Sequence, residues 1–206
     1  MKIDRADFVR SASRKAQFLR DSLPEIAFVG RSNVGKSSLM NRLLQRRGLA
    51  RTSRSPGRTR LVNYFLINQK FYFVDLPGYG YARASRAERR RWGELMDEYF
   101  EHPHPDRQLI LLIDGKVGAT ALDRQALEYF QSLDLAPLVV ATKIDKVPRS
   151  RRVRSVAAIR RSLELPEDPA IIPFSAVSGE GVRQLWKGIS VFLRLGQEKP
   201  QPVEMT

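Results

Sequence analysis

The sequence predicts an α/β fold on six strands, most of them parallel. Short apolar runs alternate with amphipathic segments along the chain, which is the pattern of helices packed on a sheet. A glycine-rich turn joins the first strong apolar run directly to a helix. One pair of neighbouring runs is too close in sequence for a parallel crossover. With 206 residues, the chain has room for one substantial core and not for two. Residues 1–23 read as a basic arm and 196–206 as a tail, since both lack apolar periodicity. Residues 24–195 read as a single domain.

Strands are expected at 25–29, 62–67, 71–74, 109–113, 138–141 and 170–174. Only Asn68, Gln69 and Lys70 separate the second from the third. That gap fits a hairpin and makes one strand antiparallel to the rest. Helices are expected at 35–46, 85–100, 120–133, 148–163 and 182–193. The second opens with Ser85 and Glu88 in capping-box spacing. The third puts Leu127 and Phe130 on one face, with Leu122 and Leu133 flanking. The fourth opens with Pro148 in a first-turn position. In the fifth, Val182, Leu185, Trp186, Ile189 and Phe192 share helical spacing, so both aromatics read as core.

Composition narrows the chemistry. The chain has no cysteine and two histidines. Disulfides, thiolate metal centres and thiol nucleophiles are therefore excluded. No uncharged apolar run approaches the ~18 residues that a membrane span needs. Residues 1–20 carry frequent charges and no apolar core, so no secretory leader is expected. The cytosol is the expected compartment and a monomer the default state. Thirty-six Lys and Arg against 22 Asp and Glu give a formal charge of +14, which draws the chain toward polyanions.

The apolar run 26–29 leads into Gly30-Arg31-Ser32-Asn33-Val34-Gly35-Lys36-Ser37. This is the phosphate-cradling pattern with its required strand before and helix after. Gly30 and Gly35 let the backbone wrap a phosphate without Cβ clashes, and the helix N-terminus adds positive potential. Lys36 would reach the β- and γ-phosphates and Ser37 would ligate Mg²⁺. Asp75, at the C-terminal end of the run 71–75, could hold Mg²⁺ through water. Gly78 would let its own N–H approach a γ-phosphate. Thr59, just before the second strand, is the candidate for a further Mg²⁺ ligand, with Thr52 as a plain loop hydroxyl. Thr142-Lys143-Ile144-Asp145 follows the fifth strand. It resembles the N/T-K-x-D element of GTPases, whose carboxylate accepts two hydrogen bonds from guanine that adenine cannot offer. Ser175 and Ala176, after the next strand, resemble the short GTPase loop whose backbone N–H meets the guanine O6. The Thr-Lys-x-Asp element argues against a P-loop ATPase or nucleoside kinase. An RNA-binding module with a structural nucleotide stays open as an alternative.

Taken together, G-R-S-N-V-G-K-S, P-G-R-T-R, D-L-P-G-Y-G, T-K-I-D and F-S-A resemble the EngB/YihA (YsxC) family of small bacterial GTPases. That family sits in the TrmE-Era-EngA-YihA-septin-like group, and the likeness spans about residues 25–192. It implies a Ras-like P-loop GTPase domain in three α/β/α layers, a role in assembly of the large (50S) ribosomal subunit, and a need in normal cell division and septation. By position it implies that GTP or GDP touches residues 30–37; Gly57, Arg58, Thr59, Arg60 and Leu61; Asp75, Leu76, Pro77 and Gly78; Thr142, Lys143, Ile144 and Asp145; and Phe174, Ser175 and Ala176. It assigns Mg²⁺ to Ser37 and Thr59. Tyr79 stands where related GTPases place a water-orienting glutamine, so intrinsic hydrolysis should be slow. Asn33 stands where potassium-dependent relatives coordinate K⁺.

The positive charge falls in three places. Residues 42–60 hold seven arginines and no acid. Arg83, Arg86, Arg89, Arg90 and Arg91 surround the start of the second helix. Arg149, Arg151, Arg152, Arg154, Arg160 and Arg161 decorate the fourth. The first two clusters adjoin the loops expected to sense the γ-phosphate, and the partner they suggest is ribosomal RNA.

Overall fold

Seven strands join one sheet in the computed structural model, which describes residues 1–46, 48–50, 61–80, 85–102, 104, 106–168 and 171–197. The elements are β1 (Ala6–Ala12), β2 (Glu25–Gly30), α1 (Lys36–Leu44), β3 (Val62–Ile67), β4 (Phe71–Asp75), α2 (Arg86–Glu101), β5 (Arg107–Asp114), α3 (Ala121–Ser132), β6 (Leu138–Thr142), α4 (Arg152–Ser162), β7 (Ile172–Pro173) and α5 (Val182–Gln197). The sheet order is β1-β3-β4-β2-β5-β6-β7. β3 pairs antiparallel with both β1 and β4, so it alone runs against the other six.

Alternation along the strands sorts the core into two halves. Ile26 and Phe28 face α1 and α5, together with Phe73, Ile110 and Leu112. Ala27 and Val29 face α2, α3 and α4, together with Val74, Leu109 and Leu111. Helices therefore cover both faces of the sheet in three layers, as the apolar runs of the central strands require. Trp186 of α5 stacks on Phe73 with ring centroids 5.8 Å apart and is core.

The expected hairpin is present. Asn68 and Gln69 have φ of 49° and 55°, and the Lys70 N–H donates to the Ile67 carbonyl at 2.9 Å. Two central residues at positive φ make the turn whose twist matches the flanking strands. Ser85 caps α2 as expected: its hydroxyl accepts from the Glu88 N–H at 3.2 Å, and its own N–H donates to the Glu88 carboxylate at 2.8 Å.

The expectation of six strands is corrected to seven, because β1 forms within residues read as an arm. Its pairing with β3 shifts register between Phe8 and Arg10, and Phe8 and Val9 are exposed. An edge strand with a bulge carries no clean alternation, so the sequence signal was absent. The segment is anchored by Ala12 and Phe18, both buried. Phe18 meets Tyr99 of α2 edge-on at 5.7 Å.

The fourth helix is also corrected. Pro148 lies outside it with ψ of 137°, a 3₁₀ turn covers Arg149–Arg151, and α4 begins at Arg152. The last strand is only Ile172–Pro173 among the described residues, and Ala170 lies outside them.

Candidate nucleotide site

The C-terminal ends of β2, β4, β5, β6 and β7 carry the loops of the site. After β2 the chain turns through residues 31–35 into α1. Gly35 caps this helix with φ of 105°, a conformation that side chains disfavour. Gly30 is required for a different reason than phosphate approach. A Cβ there would sit 2.8 Å from the Leu112 carbonyl of β5, so the turn can lie against the sheet only with glycine. Asn33 is left-handed, with φ of 65°. The loop after β4 packs on this turn: Ser32 N–H donates to the Tyr79 carbonyl at 2.9 Å, and Tyr79 N–H donates to the Gly30 carbonyl at 3.3 Å. A Cβ on Gly78 would stand 3.0 Å from the Gly30 oxygen.

Lys36 and Asp75 come together as a direct ion pair, with side chains 10% and 7% exposed. The residue expected to meet phosphate and the carboxylate expected on the metal side thus share one small space. Ser37 follows Lys36 in the first turn of α1.

The base side of the site is built from two loops. Thr142 is buried, and its hydroxyl lies 2.6 Å from the Val34 carbonyl and 3.1 Å from the Ile113 carbonyl. Lys143 reaches back, donating to the Asn33 carbonyl at 2.6 Å and to Asp114 at 2.7 Å. Both residues tie the loop after β6 to the phosphate turn. Asp145 sits in the 3₁₀ turn Ile144–Lys146, and its carboxylate has no partner among the described residues. In the second loop, Ser175 is fully buried. Its hydroxyl accepts from Val177 N–H at 3.2 Å and Ser178 N–H at 3.0 Å. Its own N–H donates to the Glu180 carbonyl at 3.0 Å. The Ala176 N–H bonds no described residue, so of this pair Ala176 offers the free donor. A cavity of about 170 Å³ lies between Gly35, Leu39, Lys143, Asp145, Phe174 and Ala176.

Four of the expected contact residues have only their backbone left for a ligand to meet. The side chains of Val34, Leu76, Ile144 and Phe174 are buried in the core. Arg31 and Ser32 are half-buried in the phosphate turn. Pro77 is buried, and its carbonyl accepts from the Trp92 indole at 2.9 Å. Leu61 is half-buried just before β3. Gly57, Arg58, Thr59, Arg60 and Thr52 lie outside the described residues, as does Arg83. Tyr79 does not point into the site; it is buried, and its hydroxyl bonds Asp123 of α3.

Sequence reasoning missed Asp114. It accepts Lys143, and also the N–H groups of Lys116 and Val117 at 3.0 and 3.2 Å. Burial alone would push its carboxyl up, but Lys143 and these amides outweigh it and hold it below the ordinary 3.8. The signal was legible: an acid at the end of an apolar run, as at Asp75.

A phosphate turn, a strand-end aspartate and an unpaired aspartate beside a base-sized cavity define a P-loop guanine-nucleotide-binding protein. Residues 25–143 match the family described as 50S ribosome-binding GTPase. The "Probable GTP-binding protein EngB" of Oceanobacillus iheyensis is 43% identical over 194 residues, covering 94% of this chain and all of that one. The protein of the same description from Exiguobacterium sibiricum is 44% identical over 189 residues, covering 92% and 98%. The chain belongs to the EngB family of GTP-binding proteins, and it is a GTPase. Among solved structures, a probable GTP-binding protein engB superposes with a TM-score of 0.68 at 25% identity, covering 83% of this chain and 99% of that one. Era in complex with MgGDPNP and nucleotides 1506–1542 of 16S ribosomal RNA gives a TM-score of 0.65 at 25% identity, covering 90% and 60%.

Proposed function

We propose that this GTPase is a nucleotide-dependent switch in assembly of the large ribosomal subunit, with slow intrinsic hydrolysis, and is needed for normal cell division and septation. The observation that carries the switch is the Lys36–Asp75 pair at the phosphate turn. In this reading the phosphates rest on residues 30–37, and the base lies between Asp145 and Ala176. Entry of GTP draws the Lys36 ammonium onto the β- and γ-phosphates and frees Asp75. The loop carrying Asp75 to Gly78 then responds to the terminal phosphate.

The residues fit Mg²⁺. The Ser37 and Thr59 hydroxyls are hard oxygen donors for the ion, and the Asp75 carboxylate would hold it through a water of its shell. Among the described residues no group of three or more His, Cys, Asp or Glu gathers that could hold a metal by itself. Mg²⁺ needs few protein ligands when phosphates and waters complete its shell. Bound there it neutralises charge on the phosphoryl oxygens. The chain's own part in hydrolysis is electrostatic. Lys36 and the amides of the turn donate to oxygens that gain charge as water attacks the γ-phosphorus in line. The Asn33 side chain is the proposed K⁺ ligand, and hydrolysis compared in K⁺ and Na⁺ salts decides it.

Charge supports ribosomal RNA as the partner. The exposed face of α4 carries Arg154 and Arg161 without a partner among the described residues, and the helix has no acid in its first turn. α2 presents Arg86, Arg90 and Arg91, all exposed, on its first two turns. No helix among the described residues is long and apolar enough to cross a membrane. Era, a similar fold, has been crystallised with ribosomal RNA. Cosedimentation with large subunits in GDP, a GTP analogue or no nucleotide is the test. The switch requires binding that depends on the nucleotide; equal binding in all three returns the chain to an RNA-binding module with a structural nucleotide.

A further inference from the structure

The two loops on the base side of the cavity belong to different strands, and one residue holds both. Arg152 donates through Nη1 to the Glu180 carboxylate at 2.6 Å and through Nε to the Val147 carbonyl at 3.1 Å. Val147 closes the 3₁₀ turn that carries Asp145. Glu180 closes the loop that carries Ala176, since its carbonyl accepts the Ser175 N–H at 3.0 Å. One planar guanidinium, with two N–H groups at a fixed angle, therefore braces the outer ends of both loops, beyond the main-chain bond from the Ile144 N–H to the Phe174 carbonyl at 3.1 Å that joins their inner ends. Lysine, with a single ammonium on a flexible stem, cannot reproduce that fork.

The placement argues for a specific task. Arg152 opens α4, and no acid lies in the first turn of that helix. A cation at a helix N-terminus opposes the helix dipole, so the helix gains nothing from it there. The partner comes from outside the helix, as Glu180. The pair is sheltered, with side chains 23% and 37% exposed. Arg149, Arg151 and Arg154, by contrast, are exposed.

We propose that Arg152 is a positioning residue for the guanine base, holding both base loops at the spacing that guanine requires. This rests on the reading that the base lies between Asp145 and Ala176. Guanine gains from both loops, whereas adenine offers no match to Asp145 and gains little. Loosening the brace therefore weakens GDP and leaves ADP nearly unchanged.

The experiment measures the Kd of GDP, a GTP analogue and ADP on the full chain as wild type, Arg152→Ala, Arg152→Lys and Glu180→Gln. With Arg152→Ala, GDP and the GTP analogue weaken by the same factor, about three- to tenfold. The GDP-over-ADP preference narrows by that factor, while the Mg²⁺ dependence stays as in wild type. Glu180→Gln and Arg152→Lys fall between wild type and Arg152→Ala. A brace that only stabilises the fold would lower the melting temperature and leave the preference untouched. An unchanged preference in folded Arg152→Ala overturns the proposal. If that variant does not fold, an unchanged preference in Glu180→Gln does so. A wild-type protein that shows no preference for GDP over ADP overturns instead the reading of the base site.

Discussion

The hydroxyl of Tyr79 donates a 2.8 Å hydrogen bond to the carboxylate of Asp123, inside the protein. The other oxygen of that carboxylate accepts from the Thr120 N–H and hydroxyl, both at 2.7 Å. The loop after β4 is thereby moored to the start of α3. Trp92 of α2 moors the same loop through the Pro77 carbonyl. Burial, and then the charge and hydrogen bond of Asp123, push the Tyr79 phenol far above its ordinary range. It is neutral in the folded protein and turned away from the phosphate turn.

Tyr79→Phe separates anchoring from chemistry. It leaves one oxygen of a buried carboxylate without its donor, at a cost of about 1–3 kcal/mol. Urea unfolding measures that loss. The hydrolysis rate at saturating GTP stays within about twofold of wild type, whereas loss of a general base would lower it by about 10²–10⁴. A drop of that size would place the phenol at the reacting water.

Asp75→Asn tests the pairing of Lys36. In wild type the carboxylate holds the ammonium that the phosphates need. Without Mg²⁺, the variant binds GDP at least as tightly as wild type, because Lys36 is released and a negative charge is gone. With Mg²⁺, the enhancement of GTP-analogue binding falls by roughly tenfold or more, as the charged acceptor for a water of the ion's shell is lost. Titrations with and without a chelator read both effects, and an unchanged Mg²⁺ enhancement would remove Asp75 from the metal side.

The features legible in the sequence share a cause: each is enforced locally. Gly35, Lys36 and Asp75 announce themselves because a turn, a helix start and a strand end need those residue types in that order. The 67–70 hairpin follows from its length alone. Apart from Asp114, the features that escaped depend on distant partners. β1 exists because β3 offers an edge, and its own residues alternate poorly. Arg152 looks like one more surface arginine until Glu180, 28 residues on, is folded against it. Tyr79 reads as a replaced glutamine, whereas its role is set by Asp123, 44 residues away.

Phe18→Ala tests the anchoring of the amino-terminal segment. Phe18 is 3% exposed and packs on Tyr99 and His102. Truncation should destabilise the protein by about 3 kcal/mol or more, measured by urea unfolding. It lies by the C-terminal end of α2, away from the loops of the site, so GDP affinity of the folded protein should be unchanged.

His104 makes stability depend on pH. Its side chain is 3% exposed and 3.9 Å from Glu25, which is also held by Arg107 at 2.8 Å and by Tyr99 at 2.7 Å. Burial, aided by the Arg107 charge, lowers its pKa below the ordinary 6.5 despite Glu25. Below that value the unfolded chain takes up a proton before the folded one does, so stability falls as the pH drops from 6.5 toward the lower folded value. His104→Gln should flatten that decline. Unfolding curves at about pH 7.5 and about pH 5.5 give the comparison; equal declines in both proteins would assign the effect elsewhere.

Asp145→Asn tests the base reader itself. The carboxylate is unpaired among the described residues, so removing its charge breaks no described contact and the fold should be kept. What is lost is acceptance of two guanine donors, the N1–H and the exocyclic amine. Two charge-assisted bonds account for a weakening of GDP of about a hundredfold or more. The amide also supplies a donor, which suits the carbonyl that xanthine carries in place of the amine. Xanthosine diphosphate should therefore gain affinity in the variant and exceed GDP. The opposite change, Ala176→Pro, removes the free N–H of the second loop and should weaken GDP and xanthosine diphosphate alike, since both bases keep the O6 acceptor. Competition titrations of the two nucleotides on the two variants give four affinities. Only a base held between Asp145 and Ala176 makes the first variant selective and the second indifferent.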